Sequence, residues 1–216
     1  MRVRQARIVL FLLPIVIVSL APLLSWGADS VADTAEAVEP LEVGDKIPDL
    51  KLTDAGSSEF DLTREVAKKP VALVFYRGGW CPYCNAQLTD YQKTERGLID
   101  LGYRIVAISP DNPEHLAKTK TEQELTYTLV SDSKMEAAKA FGVAFQLPED
   151  VIDKYLNQYN LDLKAYSGES HHQLPVPAVF LIGTDGTILY RHYDPDYKKR
   201  LSGEELVKAA KAALEK

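Results

Sequence analysis

An uninterrupted apolar run at residues 71–76 (VALVFY) leads into a short glycine-containing loop, after which Pro82 opens the next element. A run without polar alternation predicts a β-strand that is covered on both faces, as in a mainly parallel sheet. Proline suits the first turn of a helix, and we predict that this helix continues to about Asp100. A strand that passes directly into a helix points to the α/β class.

The rest of the pattern extends this strand–helix unit in both directions. Apolar runs between turn residues predict strands at 49–53, 59–62, 104–109, 128–131, 178–182 and 187–193. Amphipathic segments predict helices at 63–68 (capped by Thr63), from a cap at Asp111 or Asn112 to about 122, and at 135–141, 147–159 and 202–214. Residues 161–174 are predicted to form a polar surface loop. The expected sheet is mixed, with parallel strands in the middle and an antiparallel pair at one side.

The chain has two cysteines, Cys81 and Cys84, and both lie where the 71–76 strand gives way to its helix. The free amides and positive dipole end of a helix N-terminus stabilise a thiolate, and Arg77 is close enough in sequence to add positive charge. Cys84 is one helical turn further on and is expected to be less exposed. We therefore predict that Cys81 attacks a substrate and Cys84 resolves the product as a disulfide.

The residues before and between the cysteines suit such a site. Gly78 and Gly79 allow a tight loop and a close backbone approach by a substrate, and Trp80 and Tyr83 flank Cys81 with aromatic surface. A purely structural disulfide is the weaker alternative, because a bridge across two residues removes little entropy from the unfolded chain.

A zinc site is the other alternative for the cysteines, and it is disfavoured because structural zinc takes four Cys or His ligands. The four histidines show no metal-ligand spacing relative to the cysteines: His115, His171, His172 and His192. His171 and His172 are expected to be solvated in the 161–174 loop. We expect neither a metal nor another cofactor.

Pro177 precedes the 178–182 strand, which is expected to run beside the 71–76 strand. The Val176–Pro177 bond can be cis, and a proline here leaves neighbouring backbone groups free to pair with a substrate. On the residues alone, an ordinary proline that opens a strand is the favoured interpretation.

The segment FYRGGWCPYC, followed about ninety residues later by VPAVFLI, resembles the thioredoxin superfamily. The resemblance implies that Cys81 and Cys84 are the redox pair and that Trp80 is the tryptophan that precedes it. It also implies that Pro177 is a cis-proline facing the pair.

Over residues 43–214 the chain more narrowly resembles the alkyl hydroperoxide reductase C/thiol-specific antioxidant (AhpC/TSA) family of peroxiredoxin-like proteins. The segments that carry this likeness are VGDKIPDLKLTDAGSSEFDL, VAISPDNPEHL, LVSD and GTDGTILYRHYDPDY. It implies a thioredoxin-like fold, with a mixed central sheet flanked by helices and an N-terminal β-hairpin extension. It also implies hydroperoxide reduction through a sulfenic acid and a disulfide, with recycling by an external thiol reductant such as thioredoxin.

Two positions depart from the peroxiredoxin pattern. Gly78 stands where that family carries a Thr or Ser that orients the peroxide, and Pro177 stands where it carries an Arg on the strand facing the cysteine. Arg77 and Arg191 are the candidates to replace that arginine. The alternative function is therefore thiol–disulfide exchange with disulfides of exported proteins, for which Pro177 is the better match. A third interpretation is a binding domain without turnover, which the intact cysteine pair disfavours.

Residues 1–28 combine three arginines with an apolar stretch at 8–26 and small residues after it, which predicts a secretory signal peptide and export, most simply to a periplasm. An uncleaved membrane anchor is the alternative, and only then is membrane contact expected. Residues 29–42 are predicted to be a flexible linker and 43–216 the thioredoxin-like domain. Without the three arginines of 1–28, 22 of the 25 basic residues remain against 31 acidic ones. This net charge of −9 argues against nucleic acid as a partner.

Overall fold

A seven-stranded mixed sheet organises residues 31–215, the part of the chain that the computed structural model describes. Nine strands occur there: β1 Lys51–Asp54, β2 Glu59–Asp61, β3 Val71–Phe75, β4 Arg104–Ser109, β5 Thr128–Ser131, β6 Ala144–Gln146, β7 Gln173–Pro175, β8 Ala178–Ile182 and β9 Ile188–Tyr193. The helices are α1 Leu62–Lys68, α2 Pro82–Asp100, α3 Pro113–Glu122, α4 Glu136–Ala140, α5 Glu149–Tyr159, α6 Leu163–Ser167 and α7 Gly203–Leu214. The large sheet has the order β2-β1-β5-β4-β3-β8-β9, and β6 and β7 form a separate pair.

Strand β3 occupies the inside of the sheet, and all five of its residues are buried. It pairs in parallel with β4 on one side and antiparallel with β8 on the other. Leu73 and Phe75 face one apolar layer, whereas Ala72 and Val74 face the other. The predicted mixed α/β fold with parallel strands in the middle is confirmed, and antiparallel pairs lie at both edges of the sheet rather than at one side as predicted.

Two layers of helices cover the two faces of this sheet. Helix α2 packs beside α7 on one face, where the Tyr91 hydroxyl donates to the Leu201 carbonyl oxygen and the Gly203 amide donates to Asp90. Helices α1 and α4 cover the other face through Val66 and Ala138. The N-terminus of α2 therefore lies at the carboxyl edge of β3, where open α/β folds place their sites.

The helix caps are mostly those that the sequence indicates. Asn112, rather than Asp111, accepts the amide hydrogen bond that begins α3, and Ser202 forms the predicted capping box of α7. Helix α1 differs, because its cap is Asp61 and the Thr63 hydroxyl instead donates to Asp49.

The prediction of an irregular loop at 161–174 is wrong. This stretch contains α6, and the three-residue strand β7 follows it and pairs with β6. Leu163 and Leu174 are buried against Leu147 in a small apolar cluster of their own. Elements this short present too few apolar positions to show a period, so their pairing depends on tertiary contacts.

The segment 31–42 is docked on the domain, in contrast to the flexible linker predicted for 29–42. Ala32 forms a parallel bridge with Phe145 of β6, and Val38 and Leu41 are buried. The Arg191 guanidinium donates to the carbonyl oxygens at residues 40 and 41. Burial of the two apolar side chains and these long-range backbone contacts order a segment whose composition is polar.

The predicted signal peptide or anchor at 1–28 lies outside the described residues. Within 31–215, none of the helices combines the length and the apolar character that a membrane crossing requires.

Gly142 provides a test of this docking. It has a φ of +68°, and a Cβ there would overlap the Glu39 carbonyl oxygen of the docked segment. Gly102 has a φ of +88° with nothing within 4 Å of its Cβ position, which makes it the matched control. Gly102→Ala should cost about 1 kcal/mol for the backbone conformation alone. Gly142→Ala should cost at least about 1 kcal/mol more in urea unfolding, because the segment must also move. Equal losses would contradict the docking.

Candidate active site

The redox pair lies at the start of α2. Cys81 is the N-cap residue, and its amide donates to the Gly78 carbonyl oxygen at 3.1 Å. The amides of Cys84 and Asn85 both donate to the Cys81 carbonyl oxygen at 3.0 Å. These backbone bonds close the loop against the first helical turn, so that the Cys81 thiol projects at the positive end of the helix.

The two thiols are free and share one buried environment, yet their pKa values move in opposite directions. Cys81 is 1% exposed and Cys84 is 0% exposed, so the expected difference in exposure is nearly absent. A hydrogen bond from the Cys84 thiol, together with the charge of Arg77, lowers the pKa of Cys81 to about 6 against the cost of burial. Burial and the neighbouring Cys81 raise the pKa of Cys84 well above its ordinary value. Cys81 is thus the thiolate at neutral pH, and Cys84 is the protonated donor.

Arg77 is held in an aromatic box beside this pair. Its guanidinium carbon lies 4.1 Å from the ring centroid of Tyr197, 5.1 Å from that of Trp80 and 5.9 Å from that of Tyr155. It also donates to the Tyr155 hydroxyl. The side chain is 5% exposed, so its charge acts on Cys81 through protein rather than through water.

A second arginine, Arg200, contacts the other cysteine, and the sequence analysis did not identify it. Its Nη2 donates to Cys84 Sγ at 3.4 Å, its Nη1 to Gln87 Oε1 at 2.8 Å and its Nε to the Tyr197 carbonyl oxygen at 2.7 Å. It belongs to the loop between β9 and α7, 116 positions from Cys84. A single arginine in an irregular loop gives no local signal of such a contact.

Arg191, which the sequence analysis proposed as a replacement arginine, does not reach the site. It points to the docked segment and forms an ion pair with Glu42. The alternation of side chains along β9 explains this, because Tyr190 packs against the layer that holds the cysteines and Arg191 therefore faces the opposite layer.

The two glycines are required by close packing of the protein itself rather than by the approach of a substrate. Gly78 has a φ of +146°, and a Cβ there would overlap Trp80 Nε1 and lie 2.8 Å from Asp111 Oδ1. A Cβ on Gly79 would overlap the Thr119 hydroxyl of α3. The space that a Thr or Ser would need at position 78 is therefore taken by Trp80 and Asp111.

Asp111 is a further site residue, which the sequence analysis considered only as a possible helix cap. Its Oδ2 accepts the Gly79 amide at 2.7 Å, and the Asn85 side chain donates to the Gly79 carbonyl oxygen at 2.8 Å. The carboxyl group is 1% exposed, and burial raises its pKa to about 7.

Pro177 lies next to the site in a trans conformation, since the described residues contain no cis peptide bond. The expectation of a cis-proline is therefore wrong. The chain reaches β8 in an extended path: β7 ends at Pro175, the Val176 amide donates to the Val143 carbonyl oxygen, and Ala178 pairs with Phe75.

A mainly apolar cavity of about 330 Å³ opens beside Arg77 and Pro177. The docked N-terminal segment, β6, the start of α5 and the loop after β9 contribute its other walls, which include Ala35, Phe145, Val151 and Pro195. Docking of residues 34–36 therefore shapes the surroundings of the site as well as the fold.

His171 is half-buried rather than solvated as predicted. Its Nε2 lies 2.8 Å from the Ser133 carbonyl oxygen, and burial lowers its pKa. Within residues 31–215, no group of three or more Cys, His, Asp or Glu side chains is arranged to hold a metal ion.

Solved structures share this architecture at low sequence identity. The crystal structure of peroxidoxin BcpB from Mycobacterium tuberculosis has a TM-score of 0.63 at 21% identity, and covers 81% of this chain and 97% of that one. The AhpC of Enterococcus faecalis has a TM-score of 0.62 at 20% identity, and covers 80% and 92%. These similarities support the thioredoxin-like fold.

Sequence relatives match about half of the chain. A putative peroxiredoxin of Mycobacterium tuberculosis is 34% identical over 102 residues, which are 47% of this chain and 64% of that protein. Peroxiredoxin Bcp of Escherichia coli is 29% identical over 106 residues, which are 49% and 67%. The chain thus spans less than two thirds of the length of the first of these relatives.

The family model matches a longer part of the chain than either relative does. It is the model of the AhpC/TSA family, and it covers residues 43–191, which include both cysteines, the glycine loop and Pro177. The chain therefore belongs to the AhpC/TSA family and has its thioredoxin-like fold.

Proposed function

We propose that this protein is a thiol peroxidase in which Cys81 reduces a hydroperoxide and Cys84 resolves the oxidised product. The observation that carries the proposal is that the pKa values of two neighbouring thiols at the start of α2 are shifted in opposite directions, within a chain of the AhpC/TSA family. A thiolate near neutral pH is the reactive form, and a second thiol beside it is the partner with which a sulfenic acid condenses.

The reaction balances on the two sulfur atoms. The Cys81 thiolate attacks one peroxide oxygen, the O–O bond breaks, and the alkoxide or hydroxide that leaves takes up a proton. Cys81 is then a sulfenic acid. The Cys84 sulfur attacks the Cys81 sulfur, the S–O bond breaks and water leaves, which forms an intrachain disulfide. An external dithiol, such as a thioredoxin-like protein, reduces this disulfide by exchange.

The charge that develops on the peroxide oxygens needs positive groups at the site. The chain lacks a hydroxyl at position 78, so the amides at the start of α2 and the Arg77 guanidinium take this part. Arg77 is suited to it because three aromatic rings hold it in place and burial preserves the strength of its charge.

Thiol–disulfide exchange with exported proteins remains the alternative. Two observations disfavour it: the Val176–Pro177 bond is trans, and only 1% of Cys81 is exposed. A small peroxide enters such a site more readily than a protein disulfide does. We place the reaction outside the cytoplasm, most simply in a periplasm, on the strength of the signal-like pattern at 1–28.

Stopped-flow mixing of the fully reduced protein with hydrogen peroxide tests the function directly. Thiol loss should be at least a hundredfold faster than for free cysteine and should leave one disulfide per chain. Cys81→Ser should abolish the reaction. Cys84→Ser should leave a sulfenic acid that dimedone traps on Cys81. Thiol loss no faster than for free cysteine, with rapid exchange against a protein disulfide, would instead establish the alternative function. Full turnover by Cys81→Ser would contradict both.

The pH dependence of the peroxide reaction should follow the thiolate of Cys81. Because the pKa of Cys81 is lowered to about 6, the rate should be nearly constant above pH 8 and should fall about tenfold per pH unit below pH 5. Initial rates of thiol loss between pH 4 and 9 measure this. A midpoint near pH 8.5, the value for an ordinary cysteine, would show that the environment does not stabilise the thiolate.

Arg200→Met should slow resolution more than it slows the first oxidation. The guanidinium opposes the effect of burial on Cys84, so its removal raises the pKa of that thiol further. A hydrogen bond to a charged group is worth about 1.5–3 kcal/mol, which corresponds to roughly tenfold or more in the rate of disulfide formation. Arg191→Met is the matched control, since it removes a guanidinium from the opposite face. A similar slowing in both variants would indicate a general loss of stability.

A further inference from the structure

A buried acid that the proposed reaction does not use lies directly against the redox loop. Asp111 follows β4, and its Oδ2 accepts the Gly79 amide. The same residue is held from the other side, because the Asn85 side chain of α2 donates to the Gly79 carbonyl oxygen. Gly79, two residues before Cys81, is therefore held between the end of a central strand and the helix that carries the cysteines.

The other carboxyl oxygen of Asp111 fills the space next to Gly78. Oδ1 of Asp111 lies within 2.8 Å of the position that a Cβ on Gly78 would take, and Thr119 closes the space beside Gly79. The Asp111 main chain is anchored in turn, because its carbonyl oxygen accepts the Ser131 hydroxyl at 2.7 Å. The Asp111 carboxyl group thus fixes the position of the redox loop relative to the sheet.

A cavity of about 10 Å³, close to the space for one water molecule, adjoins this carboxyl group. Arg77 and Trp80 line it from the redox loop, and the segment around α6 and the start of β7 lines it from the far side. Asp111 therefore borders this small cavity, although its own side chain is buried.

Several charged or titratable groups surround the carboxyl group. Those on the side of the reaction are Tyr76, Arg77 and Cys81, and those across the small cavity are Tyr166, Glu169, His171 and His172. Burial raises the pKa of Tyr76 well above its ordinary value, which keeps it neutral, and lowers that of His171. The negative charge of Cys81 adds to the effect of burial in raising the pKa of Asp111. Two neighbouring acids of this kind influence each other reciprocally.

We propose that Asp111 is a positioning residue for the reaction of Cys81. Its carboxyl oxygen holds the Gly79 amide, which fixes the orientation of the Cys81 thiolate and of the loop amides relative to the peroxide. Its negative charge also affects the reactivity of that thiolate. The inference rests on the proposed function in taking Cys81 as the reacting thiol. Asp111 reaches the substrate only through the loop and is not itself a catalytic residue.

The test compares Asp111→Asn, Asp111→Ala and Asp132→Asn with the unmodified full chain. Asparagine keeps an oxygen acceptor for the Gly79 amide and loses the charge, whereas alanine loses both. Asp132 is the matched control, because it is a buried carboxyl group of the same kind whose pKa is also raised to about 7 by burial. Its oxygens accept the amides of Ala137 and Ala138 in α4.

Each reduced protein is mixed with hydrogen peroxide and, separately, with iodoacetamide between pH 5 and 9, and mass spectrometry locates the modified cysteine. The rate with hydrogen peroxide divided by the rate with iodoacetamide reports how well the loop amides are positioned, because alkylation does not need amides directed at peroxide oxygens. Asp111→Ala should lower this ratio at least tenfold. Asp111→Asn should stay within about threefold of the unmodified protein at pH 6, and Asp132→Asn should match it throughout.

The pH dependence of alkylation by iodoacetamide reports the effect of the Asp111 charge on the Cys81 thiolate. The unmodified protein should show an ionisation near pH 6 and a second step near pH 7, and Asp111→Asn should keep only the first. An unchanged ratio in Asp111→Ala, equal losses in the alanine and asparagine variants, or a step near pH 7 that persists in Asp111→Asn would each overturn the inference. The asparagine variant decides the matter if the alanine variant fails to fold. A ratio no higher than that of free cysteine in the unmodified protein would instead count against the proposed peroxidase.

Discussion

Burial of β3 on both faces and both edges is the constraint on which the site depends. Its five side chains are apolar and inaccessible, and its backbone bonds run to β4 on one side and to β8 on the other. A one-residue slip would move every side chain to the wrong layer, so the register of this strand is strongly specified. The end of β3 is consequently a stable point from which the loop 77–80 starts. The order of a loop that carries a reactive thiol is thus supplied by an element without a single polar side chain.

The chemical asymmetry of the cysteine pair arises from the partners of each thiol as well as from burial. Burial alone would raise the pKa of both thiols, because it penalises a thiolate wherever it forms. Only Cys81 receives enough compensation, from the thiol of Cys84, the charge of Arg77 and the helix amides. Arg200 opposes the effect on Cys84 without cancelling it, which leaves this thiol protonated and yet close to a positive charge. A nucleophile and a resolving thiol can therefore share one buried environment.

Local signals made most of the fold predictable, and long-range contacts account for what was missed. Apolar runs and caps gave the strands of the large sheet and the start of α7 at Ser202, because these signals lie within a few residues of the element that they mark. Ala32 contacts Phe145 and Arg200 contacts Cys84 across more than a hundred positions, with no local pattern to mark either. Position 191 was a plausible arginine for the site by composition, but the alternation along β9 directs it to the other face of the sheet. The residue types of the site could thus be predicted from the sequence, whereas the structure was needed to determine which arginine lies there.

At Gly78 the chain departs from the peroxiredoxin pattern, and this departure belongs to a different packing of the loop rather than to the simple loss of a hydroxyl group. A side chain at this position would meet Trp80 and Asp111, and the φ of +146° is one that residues with a Cβ rarely adopt. The hydroxyl that the peroxiredoxin pattern places here therefore could not be restored by exchanging one residue, because the loop path, the indole and the buried acid would all have to move. Conversely, the absence of a Cβ lets Asp111 approach the loop closely and hold the Gly79 peptide. The glycine, the tryptophan and the acid are consequently one structural unit, and the orientation of the Cys81 loop depends on all three.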